Sequence, residues 1–275
     1  MAARRDSVQS VSRAFDILEA LAGTDELGVT DLATRTGLVP STAHRLLATL
    51  AKRGYVSQRA DSGRYALGYK LVELANGLEQ ELARLRRVAR PHLDAVQTAT
   101  EETTNLVVLD GDRVIYVDQV QGSRSVRMFT IVGAAALAHT TAAGKAILAF
   151  GSPEAVAALY PEREPLERLT TRTLTTVEAL NEDLARTAKR GYAIDNEEHE
   201  EGVSCVAVPI FDRSDRPCAA ISISGPTARI VDDTGELGSL LRESAAEVSA
   251  GLGRGSGDEG RGDGAGRRAP TRKSG

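Results

Sequence analysis

The chain has 275 residues with a formal net charge of −4, and it is 41% hydrophobic and 26% charged. That is enough for about two domains, and it excludes both wholesale disorder and a fibrous repeat. Aromatic residues make up 4% and Trp is absent, so the cores rest on Leu, Val, Ile and Ala, and stacking platforms for single-stranded nucleic acid are excluded. The charge is unevenly spread. Residues 35–70 carry seven basic groups against Asp61 alone, net +6, whereas residues 71–250 carry a net −10 and residues 251–275 a net +3. A basic module precedes a larger acidic domain. Cys205 and Cys218 are too few for a disulfide scaffold. The start MAARRDSVQS lacks the apolar run of a secretory signal, and the most apolar stretch, residues 131–150, is interrupted by His139 and Lys145. A soluble cytoplasmic protein without a membrane span is expected.

From Ser10, a suitable N-cap, the residues Val11, Ala14, Phe15, Leu18 and Leu21 form one helical stripe that ends near Gly23. Thr30 caps a short helix over Asp31–Thr36, Gly37 provides its left-handed stop, and Pro40–Ser41–Thr42 opens a third helix that runs to about Arg53. Ala43, Leu46, Leu47 and Leu50 turn inward, which leaves Ser41, Thr42, His44 and Arg45 outside. Two short strands, 55–59 and 64–67, flank the turn Ala60–Asp61–Ser62–Gly63. Three helices followed by such a hairpin form a winged helix-turn-helix, whose third helix enters the major groove of double-stranded DNA. Arg45 can grip guanine, Ser41 and Thr42 can donate to phosphates, and Arg59 and Arg64 on the wing can reach the backbone or minor groove.

A helix with an apolar seam at Leu71, Leu74, Leu78, Leu82 and Leu85 links this module onward and ends before Pro91. A second helix over residues 92–100 precedes strands at 104–109 and 114–119. Helices follow at 142–150, 153–160 and 176–190, then strands at 203–211 and 218–224, and a last helix at 232–252. The expected domains are therefore residues 1–68, a linker helix 69–90, a second domain 91–252 and a Gly-rich disordered tail 253–275, in an α+β chain.

The runs SVSRAFDILEAL, LATRTGLVPSTAHRLLATLAKRGYV and YALGYKLVELA, followed by VRMFTIVG, HTTAAGKAILAF, KRGYAIDNEEHEEGVSCVAVPIFD and AAISISGP, closely resemble the IclR family of bacterial transcription regulators over residues 7–250. The resemblance implies a winged helix-turn-helix joined by a linker helix to a GAF-like α/β effector-binding domain. It also implies a homodimer or homotetramer on pseudo-palindromic operator DNA, and it carries no cofactor. A one-component regulator follows, a repressor of a catabolic or glyoxylate-related operon and of its own gene.

By the same resemblance the effector contacts Ala142 and Ala143 at a helix start, Asp195 and Cys205, and Ser222 and Ser224 on one face of a strand, with Met128, Ala136 and Val203 as an apolar wall. Free amides at the helix start favour an anion, and the set suits a compact carboxylate such as glyoxylate, pyruvate or an allantoin-derived acid. Ser222 and Ser224 could instead be core hydroxyls bonded to backbone, and Asp195 could be a turn cap. Members of the family often carry a basic residue and a Pro before the His, whereas residues 133–139 read GAAALAH, so the rim should be less cationic. Two other readings stand beside this one: an effector-independent architectural DNA-binding protein, and an enzyme with Cys205 as nucleophile and His139 or His199 as base. A metal site formed by these residues lacks any short ligand spacing.

Overall fold

The computed structural model describes residues 8–128, 130–161 and 164–255. Most of the Gly-rich tail therefore lies outside the described residues. The chain divides into two compact units between Glu81 and Leu82.

In the first unit, α1 (Gln9–Ala22), α2 (Val29–Thr36) and α3 (Pro40–Lys52) precede an antiparallel hairpin of β1 (Val56–Gln58) and β2 (Tyr65–Leu67). Ile17, Leu21, Leu27, Leu32, Leu47, Leu50, Val56 and Tyr65 form its core. Gly37 adopts the left-handed conformation that stops α2 (φ 64°), as its sequence position suggests. Leu27 and Tyr65 exchange two backbone hydrogen bonds, which tie the α1–α2 connection to the wing.

Several local expectations need correction here. Ser10 and Thr30 lie inside α1 and α2 rather than at their caps, which fall at Val8 and Gly28 without side-chain bonds. Val11 and Phe15 are exposed, and the buried stripe of α1 instead centres on Ile17 and Leu21, with Ala14 and Leu18 packed beside them. The same helical spacing fits both sets, and only the second meets α2 and α3.

Helix α4 (Lys70–Thr100) is continuous and runs through the division between the units. Pro91 does not split it into the two expected helices. That residue is exposed, so the carbonyl that loses its helical partner can be hydrated.

In the second unit β3 (Thr103–Asp110), β4 (Arg113–Val120), β5 (Ala135–Leu137), β6 (Ala193–Asn196), β7 (Val203–Phe211) and β8 (Pro217–Pro226) form one antiparallel sheet. The strand order is β5-β4-β3-β8-β7-β6. Of these strands, β5 and β6 were not legible in the sequence. Alternate side chains feed two cores, as strand pleating requires. Leu106, Val206, Val208, Ile221 and Ile223 meet Leu85, Ala89, Leu93 and Val96 of α4 on one face. On that face lie also α8 (Thr227–Ile230) and α9 (Thr234–Leu252), through Ile230, Leu241 and Val248. The opposite face, with Val107, Ala207 and Ala220, is covered by α5 (Ala142–Phe150), α6 (Pro153–Leu159) and α7 (Val177–Arg190). No described helix is long and apolar enough to cross a membrane.

The start of α5 is held by close packing. Thr141 caps it by accepting from the Gly144 amide at 3.1 Å. A Cβ on Gly144 would fall 2.2 Å from the Ala138 carbonyl oxygen, which is backbone and cannot swing aside. Gly144→Ala should therefore lower stability by about 1–3 kcal/mol in urea denaturation. Gly235→Ala, at a helical position with nothing within 4 Å, should be neutral or gain up to about 1 kcal/mol. Equal losses at the two sites would remove the steric explanation.

Candidate functional site

Helix α3 buries Ala43, Leu47 and Leu50, and this fixes which side chains face out: Ser41, His44 and Arg45 are exposed and Thr42 is half-buried in the first turn. Arg59 is exposed at the wing. Arg64, also expected to face DNA, has carboxylate partners within the protein. Its guanidinium lies 3.5 Å from Glu26 and 3.3 Å from Asp31, and the neighbouring Ser62 hydroxyl donates to Glu26 at 3.3 Å. Arg64 braces the wing against the α1–α2 connection and α2.

On the sheet face beneath α5, strand register assembles two cross-strand rows. Thr103, Ser224, Cys205 and Asp195 lie opposite one another across β3, β8, β7 and β6. Gln119, Asn105, Ser222, Ala207 and Ala193 form the adjacent row across β4, β3, β8, β7 and β6. These positions share the parity of Val107, Ala207 and Ala220, which pack under α5. Within the rows the Asn105 amide nitrogen donates to the Ser224 and Ser222 hydroxyls at 3.1 and 3.4 Å. Its oxygen accepts from the Gln119 amide at 3.3 Å, and the Cys205 thiol donates to Ser224 at 3.1 Å. Asn105 is fully buried, and Ser222 and Ser224 are only 3% and 5% exposed.

The turn after β6 connects these rows to α5. Asp195 Oδ1 accepts from the amides of Glu198 (2.7 Å) and His199 (3.4 Å), so one carboxylate oxygen is engaged as a turn cap. Thr140 donates to the Leu137 carbonyl, so its oxygen accepts from Nδ1 of His199 at 2.9 Å. The first-turn amides of Ala142 and Ala143 have no acceptor among the described residues. Below that turn Lys145 is completely buried, and its ammonium lies 2.6 and 2.7 Å from the two Glu198 oxygens and 2.9 Å from Asp183 of α7.

Burial decides the protonation states. It pushes the Asp195 carboxyl up to about 7, aided by the charge of Glu198 and opposed by the turn amides and Lys145. It also lowers the basicity of His139 and His199. The Cys205 thiol is pushed well above its ordinary value by burial and then by Asp195. His139 bonds the Glu167 carbonyl at 3.0 Å, His199 bonds Thr140, and the thiol's described hydrogen bond goes to Ser224 rather than to either ring. The arrangement lacks an activated nucleophile.

Of the residues singled out in the sequence, the structure brings Asp195, Cys205, Ser222 and Ser224 onto one buried face. Ala142 and Ala143 open α5. Met128 and Val203 line an adjoining cleft of about 400 Å³ with Glu200, Glu201 and Pro226. The Met128 carbonyl accepts from Thr103 at 2.8 Å, next to the first row. Ala136 sits apart from them: it pairs with Val114, which pairs with Leu109, four residues along β3 from Asn105 and so about 13 Å from the serines' level. Asn105, Gln119 and Lys145 were missed by sequence reasoning. For Asn105 the available signal was a carboxamide in a strand otherwise rich in Val and Leu, at the parity of Val107.

An acid whose folded value is raised binds more protons folded than unfolded, so its contribution to stability is present at low pH and lost as pH rises through about 7. Glu198, Lys145, Cys205 and Tyr116 lie close enough to couple to the ionised Asp195, and the His199 amide bonds its Oδ1. Asp195→Asn preserves the turn acceptor and removes the titration. Urea denaturation should show the parent losing about 3 kcal/mol between pH 5 and pH 8 through this group, and the variant should show a flatter profile. Parallel profiles would mean that Asp195 ionises normally.

Family comparisons agree with this architecture. The IclR helix-turn-helix domain model matches residues 10–60, and the bacterial transcriptional regulator IclR C-terminal model matches residues 81–250. The transcriptional repressor IclR of Escherichia coli is 39% identical over 250 residues, covering 90% of each chain. The regulator KdgR of the same organism is 37% identical over 249 residues, covering 90% of this chain and 94% of its own. Among solved structures, the Thermotoga maritima IclR superposes with a TM-score of 0.69 at 33% identity, covering 90% of this chain and 100% of its own. An IclR homologue from Microbacterium hydrocarbonoxydans complexed with 4-hydroxybenzoate gives 0.72 at 30% identity, covering 88% and 98%. The chain is therefore a DNA-binding transcription regulator, not an enzyme, and it belongs to the IclR family.

Proposed function

We propose that this regulator is a repressor whose operator affinity is set by a small carboxylate bound on the sheet face beneath α5. The observation that carries the reading is an excess of buried donors. The Ser222 and Ser224 hydroxyls each accept from Asn105 and donate to nothing among the described residues, and the Ala142 and Ala143 amides stand at the positive end of α5. Buried donors without acceptors are costly, so a ligand rich in acceptors relieves the imbalance. Asp195 adds one oxygen that can accept from a hydroxyl or amide, as glyoxylate hydrate or a ureido acid would offer. The relative's complex with 4-hydroxybenzoate, itself a carboxylate, supports the same ligand class.

Ser41, Thr42, His44 and Arg45 of α3, with Arg59 of the wing, would contact operator DNA in the cytoplasm. A homodimer or homotetramer would present paired recognition helices to a pseudo-palindrome. The exposed apolar residues Val11 and Phe15 of α1 and Val72, Leu74 and Leu78 of α4 support association. The effector regulates only if it binds the operator-bound and free arrangements with different affinity.

Arg45→Ala should weaken operator binding by about 1–3 kcal/mol in a fluorescence anisotropy titration and leave effector binding intact; equal operator affinity would remove Arg45 from the interface. In calorimetry against glyoxylate, pyruvate and allantoate, the parent should bind at least one acid and Ser222→Ala should bind it at least tenfold more weakly. A parent that binds none of the three would overturn the ligand class.

A further inference from the structure

We infer that Asn105 and Gln119 determine the ligand's chemical class by fixing the hydrogen-bond polarity of Ser222 and Ser224. The inference rests on the reading of this face as a carboxylate site and adds to it a pair of specificity-determining residues that do not themselves need to touch the ligand.

A serine hydroxyl is ambivalent, because it can donate or accept and its proton rotates to suit. A serine alone therefore does not distinguish a carboxylate from a carboxamide. Here the ambivalence is removed one bond at a time. Gln119 Nε2 donates to Asn105 Oδ1, and this holds the Asn105 amide with its nitrogen towards β8. That nitrogen then donates to both serine oxygens, across the strand pairs that set Asn105 opposite Ser222 and Thr103 opposite Ser224. Ser224 accepts a second bond from the Cys205 thiol, so both of its lone pairs are engaged. Ser224 is left with only its proton for a ligand, and Ser222, which accepts one bond, keeps a lone pair beside its proton. Asn105 has no exposed surface, so water does not compete for its amide.

The polarity thus runs one way, from Gln119 through Asn105 to two outward donors. A carboxylate, which only accepts, matches both protons; a primary amide that turns its N–H toward Ser224 meets a donor with no free lone pair and wastes it. Mismatched buried polar groups discriminate far more strongly than a missing methylene does.

Reversing the first link tests the relay. Glu at position 119 accepts where Gln donates, so Asn105 should flip, present its oxygen to the serines and draw their protons inward, leaving lone pairs for the ligand. Calorimetry would compare pyruvate with pyruvamide and glyoxylate with glyoxylamide, on full-length parent, Gln119→Glu and Gln119→Leu. In Gln119→Glu the amides should bind at least tenfold more tightly than they bind the parent while the acids weaken. The added negative charge can account for weaker acids but not for tighter amides. Gln119→Leu, at a half-buried position, carries no new charge and should narrow the acid-to-amide ratio at least threefold. Melting curves would confirm that each variant is folded, and if Gln119→Glu does not fold, the Gln119→Leu ratio decides. Unchanged amide affinity in folded Gln119→Glu, or an unchanged ratio in Gln119→Leu, overturns the relay while leaving the carboxylate site standing. A parent that binds neither acid overturns both.

Discussion

The arrangement beneath α5 depends on one buried cation. Lys145 carries an ammonium with no solvent exposure, held by both oxygens of Glu198 and by Asp183. An unpaired charge in that position would cost several kcal/mol, and removing one partner of such a cluster typically costs about 3–5 kcal/mol. Its three members, Lys145, Asp183 and Glu198, come from α5, α7 and the turn after β6, so the cluster ties the start of α5 to that turn. After burial, the charge of Glu198 is the largest influence raising the Asp195 carboxyl, and its own carboxyl is raised by burial and lowered by Lys145. The cluster therefore sets both the position of the turn after β6 and the electrostatics of its Asp195 carboxylate.

Around that anchor, packing and polarity are divided by strand parity. One face of the sheet is almost wholly aliphatic against α4 and α9. The other interleaves Ala207 and Ala220 with Ser222, Ser224, Cys205 and Asn105. Ala220, Ser222 and Ser224 follow one another on that face of β8, and Gly144 lets the start of α5 pack against the backbone of Ala138 in the turn before it. The polar strip thus lies on the buried face under α5, where a bound anion would meet fixed dipoles rather than mobile water.

The layout of helices and strands was largely legible in the sequence, because it depends on periodicity and on Gly and Pro punctuation. The stop at Gly37, the Pro40 start and the hairpin after Gly54 all read locally. What failed to read was set by tertiary partners. The orientation of α1 depends on which side meets α2 and α3, and spacing alone is satisfied by Phe15 as well as by Ile17. The alanine-rich β5 becomes a strand only because β4 pairs with it. At the site, Asp195, Cys205, Ser222 and Ser224 lie in recognisable blocks, whereas Lys145 looks like an ordinary helical lysine until its partner Glu198, 53 residues away, is placed beside it. Asn105 and Gln119 become visible only through register. Arg64 looked free because its carboxylate partners lie on another element.

That last pairing bears on how binding responds to ionic strength. Protein–DNA affinity falls with salt according to how many phosphates the protein neutralises, since each contact releases a condensed counterion. Arg64 is already neutralised by Glu26 and Asp31. Its charge counts in the +6 of residues 35–70, but a phosphate contact by Arg64 would first have to displace those carboxylates, whereas Arg59 carries no such pairing among the described residues. The operator complex should accordingly be less salt-sensitive than its basic composition suggests, by roughly one unit of logarithmic slope per subunit.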